Sequence, residues 1–86
     1  MKNDITGEEI STVMIPMIEQ QIQSPDTPYV KAQFERLLTE GEEETEAKRL
    51  IALCLADEIA QMQQEDRPFD ATRYEHMLQF LPILPE

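Results

Sequence analysis

The chain has 86 residues, room for one domain, with 18 acidic residues against seven basic ones and a net charge of −11. That charge repels phosphate backbones and anionic membrane faces, so direct nucleic-acid binding and membrane-surface attachment are excluded as expectations. A chain this short buries only about 60–65% of its unfolded surface, which sets its expected stability at a few kcal/mol.

The longest uninterrupted apolar run, Leu50–Ala56, has seven residues, far below the roughly 20 that span a bilayer. Met1-Lys2-Asn3-Asp4 is followed by no apolar signal core and no cleavage pattern. Cys54 is the single cysteine and cannot close an internal disulfide. Its place inside the apolar run predicts a packed free thiol, which suits a reducing compartment; the expected location is the cytoplasm.

Four helices are predicted, over residues 7–23, 28–40, 43–65 and 71–81. They make one all-α domain over residues 1–86, with irregular ends at 1–6 and 82–86, packed around the long third helix. No strand pattern, internal repeat or low-complexity linker interrupts it.

The first helix opens on Thr6-Gly7-Glu8-Glu9, which matches the S/T-x-x-E capping box. Ile10, Val13, Met14 and Met17 follow at helical spacing, with Ile15, Ile18 and Ile22 as a second stripe. Pro16 removes the hydrogen bond to the Thr12 carbonyl. Because the apolar spacing continues across it, a kinked helix is expected rather than a helix that starts there. Ser24-Pro25-Asp26-Thr27-Pro28 is a break. Thr27 is the expected N-cap of the second helix, with Pro28 at its first position. Val30, Phe34, Leu37 and Leu38 form that helix's apolar face, while Lys31, Glu35 and Arg36 lie off it. Gly41 is the expected C-terminal cap.

Residues 40–46 hold five acids in seven positions. They lack the alternating ligand spacing of a calcium loop. Acids at a helix N-terminus complement its dipole, which accounts for Glu42, Glu43 and Glu44. The third helix carries apolar side chains over more than half its circumference, so other elements should surround it. Only the side with Arg49, Ala52, Ala56, Ala60 and Gln63 looks free. The strip Ala52, Ala56, Ala60 could accept a close neighbour, either another helix of the chain or a second copy in a homo-oligomer.

One acidic side chain is out of place. Glu58 lies near the centre of the apolar stripe formed by Ala47, Leu50, Ile51, Cys54, Leu55 and Met62. A buried carboxylate has to be paired, protonated or next to water. The expected partners are a neighbouring helix N-terminus, Arg73, Lys31 or Tyr74. On that footing Glu58→Gln should keep the fold with a small loss, and Glu58→Ala should cost about 1–3 kcal/mol.

Asp66-Arg67-Pro68 ends the third helix. Asp70 is the expected N-cap of the fourth, with Phe69 before it and Tyr74 inside forming a hydrophobic staple. Tyr74, Met77, Leu78 and Leu81 make its buried stripe. Ile83 and Leu84 in the proline-broken tail are expected to fold back on the core. Met14, Met17, Met62 and Met77 are read as packing residues.

The search for chemistry is mostly negative. His76 has no triad partners, and no serine lies in a nucleophile turn. Glu75-His76 is not the Glu-x-x-His pair of di-iron bundles, since position 73 is Arg. Cys54 and His76 are only two soft ligands, where zinc wants three or four. With two glycines in the chain, no phosphate-cradling loop is present. No catalytic, cofactor or metal residue is assigned, and an enzyme is not expected. Glu58, Asp57, Tyr74 and Arg73 are the candidate polar core or partner site.

Residues 47–82 contain a Leu-Ile-Ala-rich helix, Asp57-Glu58-Ile59, Arg67-Pro68-Phe69-Asp70, Tyr74 and Leu81-Pro82. In this the C-terminal half resembles small bacterial helical proteins of no established function. The resemblance implies a bacterial cytosolic protein and carries no catalytic residue. Three readings of function stand: a non-catalytic protein that binds another protein, a ligand- or metal-binding bundle centred on Glu58, and an acidic mimic of nucleic acid that blocks a basic protein. A polar cavity at Glu58 would favour the second, a saturated pair in a closed core the first.

Overall fold

The computed structural model describes the backbone of residues 7–84 and the side chains of residues 13–84. Four helices form, α1 (Gly7–Gln23), α2 (Pro28–Thr39), α3 (Glu44–Glu65) and α4 (Ala71–Phe80), and the described residues contain no strand. The fold is an all-α four-helix domain. Helix α3 touches each of the other three, with α1 as its most extensive neighbour. Helix α2 also touches all three, whereas α1 and α4 have no close backbone contact among the described residues and meet through the Gln21 and Tyr74 side chains.

Helix α1 runs through Pro16 without ending. Its capping box cannot be followed, because Thr6 lies outside the described residues. Met14 and Ile18 are buried, whereas Val13 is 68% and Met17 44% exposed. The expectation that both apolar stripes and Met17 pack inward is therefore corrected. This helix is apolar on two sides, and only one can face a core. The side chosen carries Met14, Ile18 and Gln21, and Gln21 accepts a hydrogen bond from the buried Tyr74 hydroxyl at 2.7 Å.

Both ends of α2 are closed by chain reversals. Thr27 occupies the N-cap position but makes no side-chain cap. Its hydroxyl donates instead to the Gln21 carbonyl at 2.8 Å, satisfying the last turn of α1 rather than the first turn of α2. Pro28 at the first position has no N–H, so α2 opens with one fewer unpaired donor. At the other end the Gly41 N–H reaches the Leu38 carbonyl at 3.1 Å and the Glu42 N–H the Leu37 carbonyl at 3.0 Å. This is the paired pattern of a Schellman cap, and Gly41 adopts the positive φ of 105° that it needs.

The core comprises Val30, Phe34 and Leu37 from α2, six residues of α3, and Tyr74 and Leu78 of α4, with Met14, Ile18 and Leu81. Ala52 belongs to it, with no exposure, and Ala56 packs partly buried against it. The expectation that this side is free is thus corrected, and of the two expected neighbours the one within this chain covers Ala52. This chain already covers Ala52 and much of Ala56, because small side chains let a neighbouring backbone approach closely, and only Ala60 stays exposed.

Ile83 and Leu84 do not fold back on the core. They are 70% and 38% exposed. Leu81 is the last core residue, and Pro82 follows it as an exposed residue outside any helix. No helix of the described residues is long and apolar enough to cross a membrane.

Candidate functional site

Glu58 is completely buried, as its position on the α3 stripe demands. The end of α3 explains how it is accommodated. Asp66 takes a left-handed conformation, φ 51°, and the Arg67 N–H returns to the Met62 carbonyl at 3.1 Å. Pro68 then prevents further helix. The reversal carries the Arg67 side chain back along the last turns of α3. There Nη1 donates to Glu58 Oε2 at 2.7 Å and Nη2 to Oε1 at 3.2 Å.

The start of α4 supplies the remaining bonds. Asp70 caps the helix, its Oδ1 accepting from the Arg73 N–H at 3.0 Å. The Asp70 N–H itself donates to Glu58 Oε2 at 2.7 Å. In a capping box a Glu at the third helical position satisfies that amide. Here Arg73 stands at the third position, and Glu58 plays the part from another helix. Arg73 Nη1 donates to Glu58 Oε1 at 2.7 Å, and its Nη2 pairs with Asp57. Arg67 is held in addition by Glu65 and by the Pro68 carbonyl.

Both oxygens of Glu58 therefore accept two bonds each, which fills the roughly four acceptor positions of a carboxylate. No buried side-chain polar atom among the described residues lacks a partner. The Arg67 hydrogen bonds hold the Glu58 carboxyl down, against the cost of burial, at about 2; the Asp70 amide and Arg73 act in the same direction. The group is an ionised, saturated acceptor, and a ligand would reach it only by displacing one of these donors.

Of the expected site residues, Glu58, Asp57 and Arg73 come together. Tyr74 does not join them. It sits between Tyr29 and Phe69, with ring centroids at 6.0 and 5.5 Å, and its hydroxyl points to Gln21 on α1. The Phe69 contact is the expected staple. Burial raises the Tyr74 hydroxyl well above its ordinary value. Lys31 is exposed on α2 and is not a partner of Glu58 either. Arg67, which makes two of the four bonds, was not among the expected partners. It reads in sequence as part of a helix terminator, and only the left-handed turn at Asp66 brings it back. An arginine three residues before an N-cap and nine after a buried acid was the available signal.

Three other features stand apart from Glu58. Arg36 on α2 donates to the Leu78 and Leu81 carbonyls at 3.2 and 2.9 Å, capping the end of α4, and pairs with Glu40. Cys54 is buried and unpaired, and desolvation, aided by the Asp57 charge, pushes its thiol up to about 12. His76 is exposed, edge-on to Phe80 at 5.4 Å. Among the described residues no three His, Cys, Asp or Glu side chains gather as metal ligands.

Shallow hollows of about 330 Å³, beside Phe34, Glu44 and Lys48, and about 460 Å³, beside Pro25, Pro28 and Lys31, meet at Ile22 and Gln23. A smaller one of about 140 Å³ lies among Met77, Phe80, Ile83 and Leu84. The sequence matches no protein-family model, no curated protein and no solved structure.

Proposed function

We propose that this protein acts by binding another protein, one with a basic surface, and not by catalysis. One observation carries the reading. Arg36, Lys48, Arg49, Arg67 and Arg73 each lie in an ion pair with an acid of the same chain. Arg49 pairs along α3 and the other four hold helix ends or helix pairs together, so the charge left facing outward is the unneutralised excess of the net −11. Exposed Asp26, Glu35 and Glu43 are part of it. A field of one sign accelerates encounter with the opposite sign and disfavours like-charged partners. The saturated state of Glu58 supports the same reading, since it leaves the one buried carboxylate among the described residues no position for a ligand. A lone buried thiol is compatible with the reducing cytoplasm, where we place the protein.

The test is affinity capture with tagged protein from a lysate of the source organism, at about 0.01 M and about 1 M ionic strength. The reading expects a partner recovered in equimolar amount at low salt and lost at high salt. Triple substitution Glu35→Gln, Glu42→Gln, Glu43→Gln should weaken its recovery. Absence of any equimolar partner at low salt would overturn the proposal.

A further inference from the structure

The end of α4 exposes apolar side chains that the fold does not need. Phe80 is 58%, Ile83 70% and Leu84 38% exposed, and with Met77 they surround the hollow of about 140 Å³. The Ile83 N–H bonds the Phe80 carbonyl at 2.9 Å, so the chain turns at this point and sets the two side chains beside one another. Isolated exposed apolar residues need no explanation, but neighbours around a concavity are the form that interaction sites take.

The size of the hollow limits what enters it. Small-molecule pockets run from about 300 Å³ upward. A cavity of about 150 Å³ takes a single benzene ring. This hollow therefore fits one aromatic or branched side chain, as an anchor of a longer segment lying across the surface.

Charge decides which segment. The cation at the α4 end, Arg36, is already occupied by Glu40 and by the Leu78 and Leu81 carbonyls. It cannot attract an acidic partner without releasing the helix end. Glu40 beside it is half exposed, and the chain as a whole carries −11. A second copy would bring the same −11 against it, and an anionic bilayer would be repelled likewise.

Resting on the reading that the protein binds a basic partner, we infer that Met77, Phe80, Ile83 and Leu84 form its docking surface. The occupant is an amphipathic segment of another protein, with an apolar anchor in the hollow and Lys or Arg flanking it. This is the helix-in-groove mode of recognition, reduced to a shallow seat. The apolar contact sets the dissociation rate and the net negative charge of the chain sets the association rate.

The probe is a synthetic helical peptide of leucine and lysine, with leucines at helical spacing and one central phenylalanine, titrated against the full chain. Binding is read by fluorescence anisotropy and by methyl shifts of Met77, Ile83 and Leu84. We expect saturable binding with shifts confined to those methyls, weakened at least about tenfold by Phe80→Ser with Ile83→Ser. Both residues face solvent, so the double variant should unfold at the wild-type denaturant midpoint. A peptide with glutamate in place of lysine should not bind. Equal binding by the double variant, binding of the acidic peptide, dimerisation of the free chain through these residues, or adsorption to phosphatidylserine vesicles would each overturn the inference. Its failure is separable from that of the broader reading. A partner captured equally by wild type and by the double variant removes this surface but leaves the interaction, whereas no captured partner removes the interaction itself.

Discussion

Replacing Glu58 with glutamine should damage the fold nearly as much as replacing it with alanine. Isosteric exchange looks mild from the sequence, but the geometry says otherwise. Oε1 accepts from Arg67 Nη2 and Arg73 Nη1, and Oε2 from Arg67 Nη1 and the Asp70 N–H. Whichever oxygen becomes an amide NH₂, it turns a donor toward two donors. Two bonds are lost, and the negative charge that the arginines face is gone. Hydrogen bonds to charged groups are worth about 1.5–3 kcal/mol each before rehydration. The arginine side chains are 24% and 34% exposed, so water recovers part of that. The cost therefore falls below the roughly 3–5 kcal/mol of a fully buried broken pair, at about 2–3 kcal/mol for either variant.

The pH dependence expresses the same hydrogen bonds as a second observable. The Glu58 carboxyl is lowered from 4.5 to about 2, and one pH unit corresponds to about 1.4 kcal/mol, which gives on the order of 3 kcal/mol before solvent screening. Because the folded value is the lower one, this stability is fully present above about 4.5 and is lost as pH falls toward about 2. Urea denaturation followed by far-UV circular dichroism, at about pH 7 and about pH 3, measures both effects. The gap between wild type and either variant should be about 2–3 kcal/mol at neutral pH, or about 10–20 °C in Tm, and should narrow at the acid end. A Glu58→Gln protein close to wild type, or a gap that ignores pH, would refute the reasoning.

Three further outcomes follow from the same geometry. Cys54 should resist thiol reagents in the folded protein and react at once in denaturant, since its thiol sits at about 12; fast labelling without denaturant would take it out of the core. Arg36→Lys should behave like Arg36→Ala, each losing about 1–2 kcal/mol and the hydrogen-exchange protection of residues 78–83. One ammonium cannot reproduce a guanidinium that spans Glu40 and two carbonyls. Asp66→Gly should raise stability by up to about 1 kcal/mol, because Asp66 holds φ 51°, a region that glycine enters without steric cost. A lowered midpoint would show that the Asp66 side chain contributes more than its backbone strain removes.

Helix positions were legible in the sequence because the punctuation is strong. Pro25, Pro28, Gly41, Pro68 and Asp70 each stop or start a helix for a local reason, and the structure agrees with them within one residue. The burial of Cys54 and Glu58 was legible from the α3 period. Facing was harder where a helix is apolar on two sides. Val13 and Met17 could be placed outside only with knowledge of where Gln21 meets Tyr74. The alanine strip left two neighbours open for a related reason, since small side chains mark close approach without saying which neighbour approaches. Arg67 and Arg36 were hidden because both act across chain reversals. Their partners lie at the end of another helix or one helix turned back, beyond any periodic pattern. Thr27 shows the same limit on a smaller scale, its position foreseen and its bond going to the helix before it.

The claim on which the rest depends is that the buried carboxylate is fully occupied by its own chain. Carbon-detected NMR titration of the Glu58 side chain, read together with the Asp70 amide proton, tests it most directly. The account predicts a carboxyl that titrates at about 2, with the Asp70 amide shifting at the same midpoint because the two share a hydrogen bond. A carboxyl that titrates at or above 4.5, with an indifferent Asp70 amide, would mean that Glu58 is free to meet a proton or a ligand, and would return it to the place of a functional group.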